Sequence, residues 1–131
     1  MEMKFYRCSL CGQMIAIVKD TDVPVVCCGM DMEELIPGSV DASHEKHVPV
    51  IKVDGDLVTV TVGSDPHPMS DKHFIEWISL QTKCGNQRKE LKPGDAPAVC
   101  FRLCEGDEVK AAYAYCNLHG LWKAGCNPES C

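Results

Sequence analysis

The sequence predicts a mainly β protein: a small N-terminal unit built around two cysteine pairs, followed by an antiparallel β-sandwich. Three observations lead there. Cys8, Cys11, Cys27 and Cys28 form two tight pairs within the first 36 residues. Beyond Val40 the chain breaks into short β-prone runs separated by turn signals, the pattern of a small sandwich. No apolar periodicity of three helical turns interrupts them.

The N-terminal unit, residues 1–37, holds Cys8-Ser9-Leu10-Cys11-Gly12 and Val25-Val26-Cys27-Cys28-Gly29. Between them, Met14-Ile15-Ala16-Ile17-Val18 is β-prone and Lys19-Asp20-Thr21-Asp22 is turn-like. A unit of under ~40 residues rarely buries enough apolar surface to fold alone. Metal bound by the four thiolates would supply the missing stability. Leu35-Ile36-Pro37-Gly38-Ser39 reads as a linker, because Pro and Gly stop regular structure.

Residues 38–131 supply the sandwich strands. Val48–Val53 is followed by the turn signal Asp54-Gly55-Asp56 and then by Leu57–Val62, where Val58, Val60 and Val62 alternate onto one face. Phe74–Leu80, Ala98–Leu103 and Val109–Tyr115 are three further strand-like runs.

Composition removes several function classes. Charged residues make up 24% of the 131-residue chain and hydrophobic ones 45%, as in globular proteins. No apolar run approaches the ~20 residues that span a bilayer, so no membrane partner is expected. A net charge of −6 argues against nucleic acid, which needs a basic face. The start, Met1 to Cys8, has no apolar export core, and a cytoplasmic protein is expected. In that setting ten cysteines point to metal or redox chemistry rather than to a disulfide framework.

Three histidine-bearing segments stand out. Glu45-Lys46-His47-Val48-Pro49 enters a strand, His67-Pro68-Met69-Ser70-Asp71-Lys72-His73 brackets a loop, and Cys116-Asn117-Leu118-His119-Gly120 leaves a strand. Cys116 and His119 have the two-residue spacing at which one turn points both side chains at one ion. Pro68 holds the backbone at His67 extended. Imidazole suits iron, zinc, copper or nickel, and a thiolate adds softness.

These three segments, with Cys8-x-x-Cys11 and the adjacent Cys27-Cys28, resemble the motifs of the desulfoferrodoxins, the two-iron class of superoxide reductases. The likeness runs over nearly the whole chain. It implies a desulforedoxin-like iron-binding domain followed by an immunoglobulin-like catalytic β-sandwich. It implies that His47, His67, His73 and His119 are equatorial ligands of a ferrous iron and Cys116 its axial thiolate, with the sixth position open. A second iron would sit on Cys8, Cys11, Cys27 and Cys28. Zinc or calcium substitution is possible in preparations, and by ligand type alone four thiolates suit zinc as well as iron. The implied activity is one-electron reduction of superoxide to hydrogen peroxide without release of dioxygen. Glu45 would take the sixth position after product leaves, rubredoxin or a similar donor would return the electron, and the chain would form a homodimer.

The chemistry is physically coherent. Ferrous iron with four neutral imidazoles and one thiolate carries a formal positive charge, which attracts an anion although the protein is acidic. Lys46, next to His47, is the candidate guide for superoxide and holder of a proton-delivering water. A thiolate opposite the open position pushes electron density through the iron. The competing readings are a non-catalytic electron carrier, a zinc protein and a dismutase. His44 is expected to be an exposed surface histidine. Cys100 and Cys104, four apart in a strand-like run with Arg102, are expected to share a face and pack as small hydrophobes. Cys84, Cys126 and Cys131 receive no role, and Cys126 onward is expected to be a mobile tail.

Overall fold

A computed structural model describes residues 2–126. Cys131 and the preceding Asn127–Ser130 lie outside the described residues. The chain divides into two compact units, Met1–Ile36 and Pro37–Cys131.

The first unit contains five short strands: β1 (Phe5–Arg7), β2 (Met14–Ala16), β3 (Val26–Cys27), β4 (Met30–Asp31) and β5 (Glu33–Glu34). β2, β1 and β5 form an antiparallel sheet in that order, and β3 and β4 pair as a separate hairpin. Tyr6 lies opposite Ile15 on one side and Glu34 on the other. The β-prone stretch from Met14 is strand only to Ala16. Ile17 still donates its N–H to the Lys4 carbonyl, but Val18 is 92% exposed. Buried apolar residues here are Phe5, Cys8 and Met32, too few to form a core by themselves.

The second unit opens with a one-turn helix, α1 (His44–His47), followed by β6 (Pro49–Asp54), β7 (Leu57–Val62), β8 (Ile75–Thr82), β9 (Asn86–Glu90), β10 (Ala98–Arg102), β11 (Val109–Cys116) and β12 (Gly120–Gly125). One sheet runs β10-β7-β6 and the other β12-β11-β8-β9, with every pair antiparallel. The first, second and fifth strands thus face the seventh, sixth, third and fourth. That is an immunoglobulin-like sandwich whose fourth strand has joined the larger sheet. Val58, Val60 and Val62, all fully buried, meet Ile78, Leu80, Ala112 and Ala114 in the core. Full burial of a valine-sized side chain contributes roughly 1.5–3 kcal/mol.

Two sandwich strands, β9 and β12, and four N-terminal strands, β1, β3, β4 and β5, go beyond the sequence reading. β9 is exposed at all five positions, and β12 has glycine at both ends with no clean alternation. β1 runs directly into the first cysteine pair. Cys100 and Cys104 do not share a strand face either. β10 ends at Arg102, Phe101 takes the inward position, and Cys100 points outward beside Arg102. Cys100 and Cys104 are exposed rather than packed as small hydrophobes, and Cys84 is exposed as well. Cys126 is half-buried against the sandwich core, not part of a free tail.

Register sets where the loops converge. Pro49 opposes Val62, Ile75 opposes Cys116, and Cys116 opposes Gly120. The start of β6, the β7–β8 connection and the β11–β12 turn therefore lie at the same ends of their sheets. All three histidine-bearing segments sit there.

Candidate metal centres

In the first unit, Cys8-x-x-Cys11 closes as a tight turn. Gly12 donates its N–H to the Cys8 carbonyl at 2.9 Å and has φ 81°, a conformation open to glycine. The Cys11 N–H points at Cys8 Sγ, 3.5 Å away. The second pair lies on β3 and the residue after it, where Cys28 has φ 55°. All four sulfurs lie within 4.8 Å of one another. Cys11 and Cys27 are 3.7 Å apart and Cys27 and Cys28 3.9 Å. A tetrahedron with metal–sulfur bonds of ~2.3 Å has edges of about 3.8 Å, so the spacing fits one ion.

The electrostatics of Cys8, Cys27 and Cys28 agree. Backbone N–H groups of Cys11 and Leu10 pull the Cys8 thiol down to about 6. Crowding by Cys11 and Cys8 pushes Cys27 up to about 12 and raises Cys28. Four neighbouring sulfurs resist ionising together unless a cation joins them. Four thiolates suit tetrahedral iron or zinc and leave no position for a substrate.

In the second unit, the four rings of His47, His67, His73 and His119 form a near-square. Neighbouring centroids are 4.7, 4.7, 5.0 and 4.9 Å apart, with adjacent ring planes at 77–90°. The His47–His73 diagonal is 6.3 Å. His47 Nε2 lies 3.2 Å from His67 Nε2 and 3.1 Å from His119 Nδ1. The Cys116 sulfur, fully buried, lies within 4.8 Å of the ligand atoms of His47, His67 and His73 and 3.8 Å from His119 Nδ1. Sequence reasoning named all five of these residues, and the fold brings them together.

Hydrogen bonds show which nitrogens face inward. His47 Nδ1 lies 2.7 Å from the Ser43 carbonyl and His67 Nδ1 2.7 Å from the Pro68 carbonyl. A carbonyl only accepts, so both Nδ1 atoms carry the proton and both Nε2 atoms present lone pairs. His73 Nε2 is buried with no hydrogen-bond partner, an orphan that a metal ion would satisfy. Burial pushes His47, His67 and His73 toward the neutral form, His67 to about 4. Burial raises the Cys116 thiol, while the N–H groups of Leu118 and His119 work the other way. Neutral imidazoles ready to ligate, and a thiol that a cation would deprotonate, fit an iron ion. The two donor sets thus match two iron sites per chain.

Glu45 and Lys46 are exposed and sit on α1 directly before His47. The Glu45 carbonyl accepts the Asp65 N–H at 2.8 Å and the Ser64 hydroxyl at 3.3 Å. Gly63, joined to Val62 by a cis peptide, packs so closely that a Cβ there would lie 2.5 Å from the Glu45 oxygen. The Lys46 charge is felt at both His47 and His73, where it opposes protonation. His44 is exposed, as expected, but its ring also meets Trp122 edge-on at 5.4 Å.

Three supporting residues escaped the sequence reading. Trp122 lies over the His47 ring at 5.0 Å and donates its Nε1–H to the His119 carbonyl at 3.0 Å. Ser43 orients His47 through a main-chain atom, so its side chain gives no signal. Asn117 sits inside a segment already singled out, yet its partners, Lys72 and Phe74, are more than forty positions away.

Comparison with known proteins agrees with the two units. Residues 1–35 match the family model of the desulfoferrodoxin N-terminal domain, and residues 39–125 match that of desulfoferrodoxin itself. A desulfoferrodoxin of Syntrophotalea carbinolica is 44% identical over 124 residues, covering 94% of this chain and 96% of the relative. The crystal structure of the superoxide reductase from Treponema pallidum superposes with a TM-score of 0.81 at 40% identity, covering 95% of this chain and 99% of that one. A superoxide reductase (1Fe-SOR) from Giardia intestinalis aligns with 63% of this chain and 98% of its own, with TM-score 0.55 and 38% identity. Two family matches covering both units, relatives aligned nearly end to end, and two donor clusters at the motif positions have one common reading: the chain belongs to the desulfoferrodoxin family.

Proposed function

We propose that this protein is a superoxide reductase, reducing superoxide by one electron to hydrogen peroxide without making dioxygen, in superoxide detoxification. The observation that carries the reading is the near-square of four imidazoles beside one buried thiol. Relatives with superoxide reductase in their names support it.

In this reading His47, His67 and His73, through Nε2, and His119, through Nδ1, would hold a ferrous ion together with the Cys116 thiolate. When bound, that ion supplies the electron and an open position for an anion. Cys116 is buried in the core and would hold the ion from that side, while Glu45 and Lys46 are exposed on α1 directly before His47. Lys46 provides local positive charge against the net −6 of the chain and holds water that donates a proton. Two protons are needed per superoxide reduced to peroxide. Glu45, exposed on α1 beside His47, is the carboxylate that would approach the ion between turnovers.

The N-terminal site, Cys8, Cys11, Cys27 and Cys28, passes electrons or stabilises its unit, because four thiolates leave nothing open. Rubredoxin or a similar small redox protein serves as donor. The apolar side chains that the first unit exposes, among them Leu10, Val18, Val23 and Val26, support assembly as a homodimer. No helix among the described residues is long and apolar enough to cross a membrane. Eight of the nine described cysteines are free thiols, Cys126 being disulfide-bonded, and that majority suits the reducing cytoplasm.

The test is a steady-state assay with a reductant, measuring peroxide formed and dioxygen evolved per superoxide consumed. Sustained peroxide formation without dioxygen is expected. Dioxygen release would indicate a dismutase, and consumption that stops after one equivalent per centre would indicate an electron carrier.

A further inference from the structure

The four ring ligands are not held alike. His47 and His67 are each locked by their own Nδ1–H on a carbonyl. The His73 ring makes no hydrogen bond among the described residues, and its Nε2 is buried without a partner. With no hydrogen bond on the ring, its placement leans on the backbone that carries it.

On one side that backbone is tied to Ser70. Ser70 N–H donates to the His73 carbonyl at 3.0 Å, and the His73 N–H lies 3.2 Å from Ser70 Oγ. The other tie comes from the opposite ligand segment. Asn117 Nδ2 donates to the Lys72 carbonyl at 3.0 Å, and Asn117 Oδ1 accepts the Phe74 N–H at 3.0 Å. The Asn117 main-chain N–H donates to the Phe74 carbonyl at 3.2 Å. One side chain thus grips the residues immediately before and after His73. Its own backbone lies between Cys116 and His119, in the turn that carries two other ligands.

We infer that Asn117 is a positioning residue that fixes His73 relative to Cys116 and His119, so that three of the five donors are registered by one amide. The chemistry requires a primary amide: one end must donate to a carbonyl and the other accept from an N–H, and no other side chain of that length does both. The inference rests on the proposed iron centre of the sandwich, since it concerns how that centre is held.

The test uses the iron-loaded full-length chain. Iron is withdrawn from the sandwich centre by a competing chelator, and the thiolate-to-iron absorption of the oxidised centre is recorded. The N-terminal centre of the same molecule serves as internal reference. Asn117→Ala should weaken retention of the sandwich iron by about 10–100-fold, the range for residues that orient ligands, and shift the absorption. Asn117→Asp keeps the acceptor for Phe74 and loses the donor for Lys72, so it should fall between. In a His73→Ala background, Asn117→Ala should add no further loss. Wild-type retention and spectrum in Asn117→Ala would overturn the inference. So would a full-sized loss that persists without His73, because Asn117 would then act elsewhere. If Asn117→Ala does not fold, Asn117→Asp decides by the same two criteria. Failure of the wild-type sandwich to hold iron would overturn both this inference and the proposed centre.

Discussion

Gly63 offers a sharp probe of how the substrate side of the centre is built. Adding a Cβ there places it 2.5 Å from the Glu45 oxygen, 2.9 Å from the Lys46 carbonyl carbon and 3.1 Å from the Glu45 carbonyl carbon. These are backbone atoms, which cannot rotate away as a flexible side chain would. To reach the 3.4 Å at which ordinary contact begins, the Glu45 carbonyl must retreat about 0.9 Å. That carbonyl is held by Asp65 and Ser64 and lies two residues before His47. Metal–ligand distances tolerate only about ±0.2 Å, so a shift of this size passed to His47 disturbs the square. Overpacking of this kind costs roughly 1–3 kcal/mol, or a fall of about 5–20 °C in Tm for a domain near 100 residues. The assay is thermal unfolding of Gly63→Ala by selectively excited tryptophan fluorescence, which reports this unit because both tryptophans, Trp77 and Trp122, belong to it. Iron retention is measured in parallel. Unchanged Tm together with unchanged retention would refute the packing argument.

Two further outcomes are expected. Lys46→Ala should slow the second-order reaction with superoxide by about tenfold at low salt, the lower end of electrostatic steering, and flatten its dependence on ionic strength; stopped-flow rates that match wild type at low salt would remove Lys46 from the encounter. Stability of the metal-free sandwich should fall as pH drops from 6.5 toward about 4, the ordinary and folded values for His67. Burial holds the folded imidazole neutral, so in that window the unfolded chain binds more protons, and below it the loss levels off at on the order of 3 kcal/mol. Burial of His47 and His73 acts in the same direction. Urea midpoints that stay flat across the window would contradict this.

What the sequence revealed depended on whether local chemistry or tertiary contact decided each feature. β7 was legible because burial of one face imposes strict alternation on Leu57–Val62. β9 was not, because Asn86–Glu90 is wholly exposed and held by backbone pairing to β8, which leaves no pattern in side-chain polarity. Cys100 could have been placed correctly: Phe101 is the inward residue of β10, and with a period of two its neighbours face out. The metal donors were legible because histidine and cysteine in short spaced segments are chemically uncommon. Asn117 and Trp122 were not, since an asparagine or tryptophan beside a ligand is unremarkable until the fold shows what it touches. The pinning of Glu45 by Gly63 likewise exists only once two distant segments meet.

The two centres stand in opposite relations to their units, and metal removal should separate them. In the first unit the described buried apolar residues are Phe5, Cys8 and Met32, one of them a thiol of the cluster itself. Its strands are two or three residues long, and its four sulfurs crowd together at ligand spacing. The ion there takes the place of a core, and its binding free energy is folding free energy. The sandwich has its own core, with Val58, Val60, Val62, Ile78 and Leu80 fully buried, and its donors lie at one end of that core. Chelation should therefore abolish amide-exchange protection at Tyr6 and Ile15 while protection at Val60 and Ala112 survives. Cys11→Ser should reproduce the first loss without chelator and leave the absorption of the sandwich centre in place. Loss of protection at Val60 on chelation would show that the imidazole square holds the sandwich together, and retained protection at Tyr6 would show that the first unit folds without its ion.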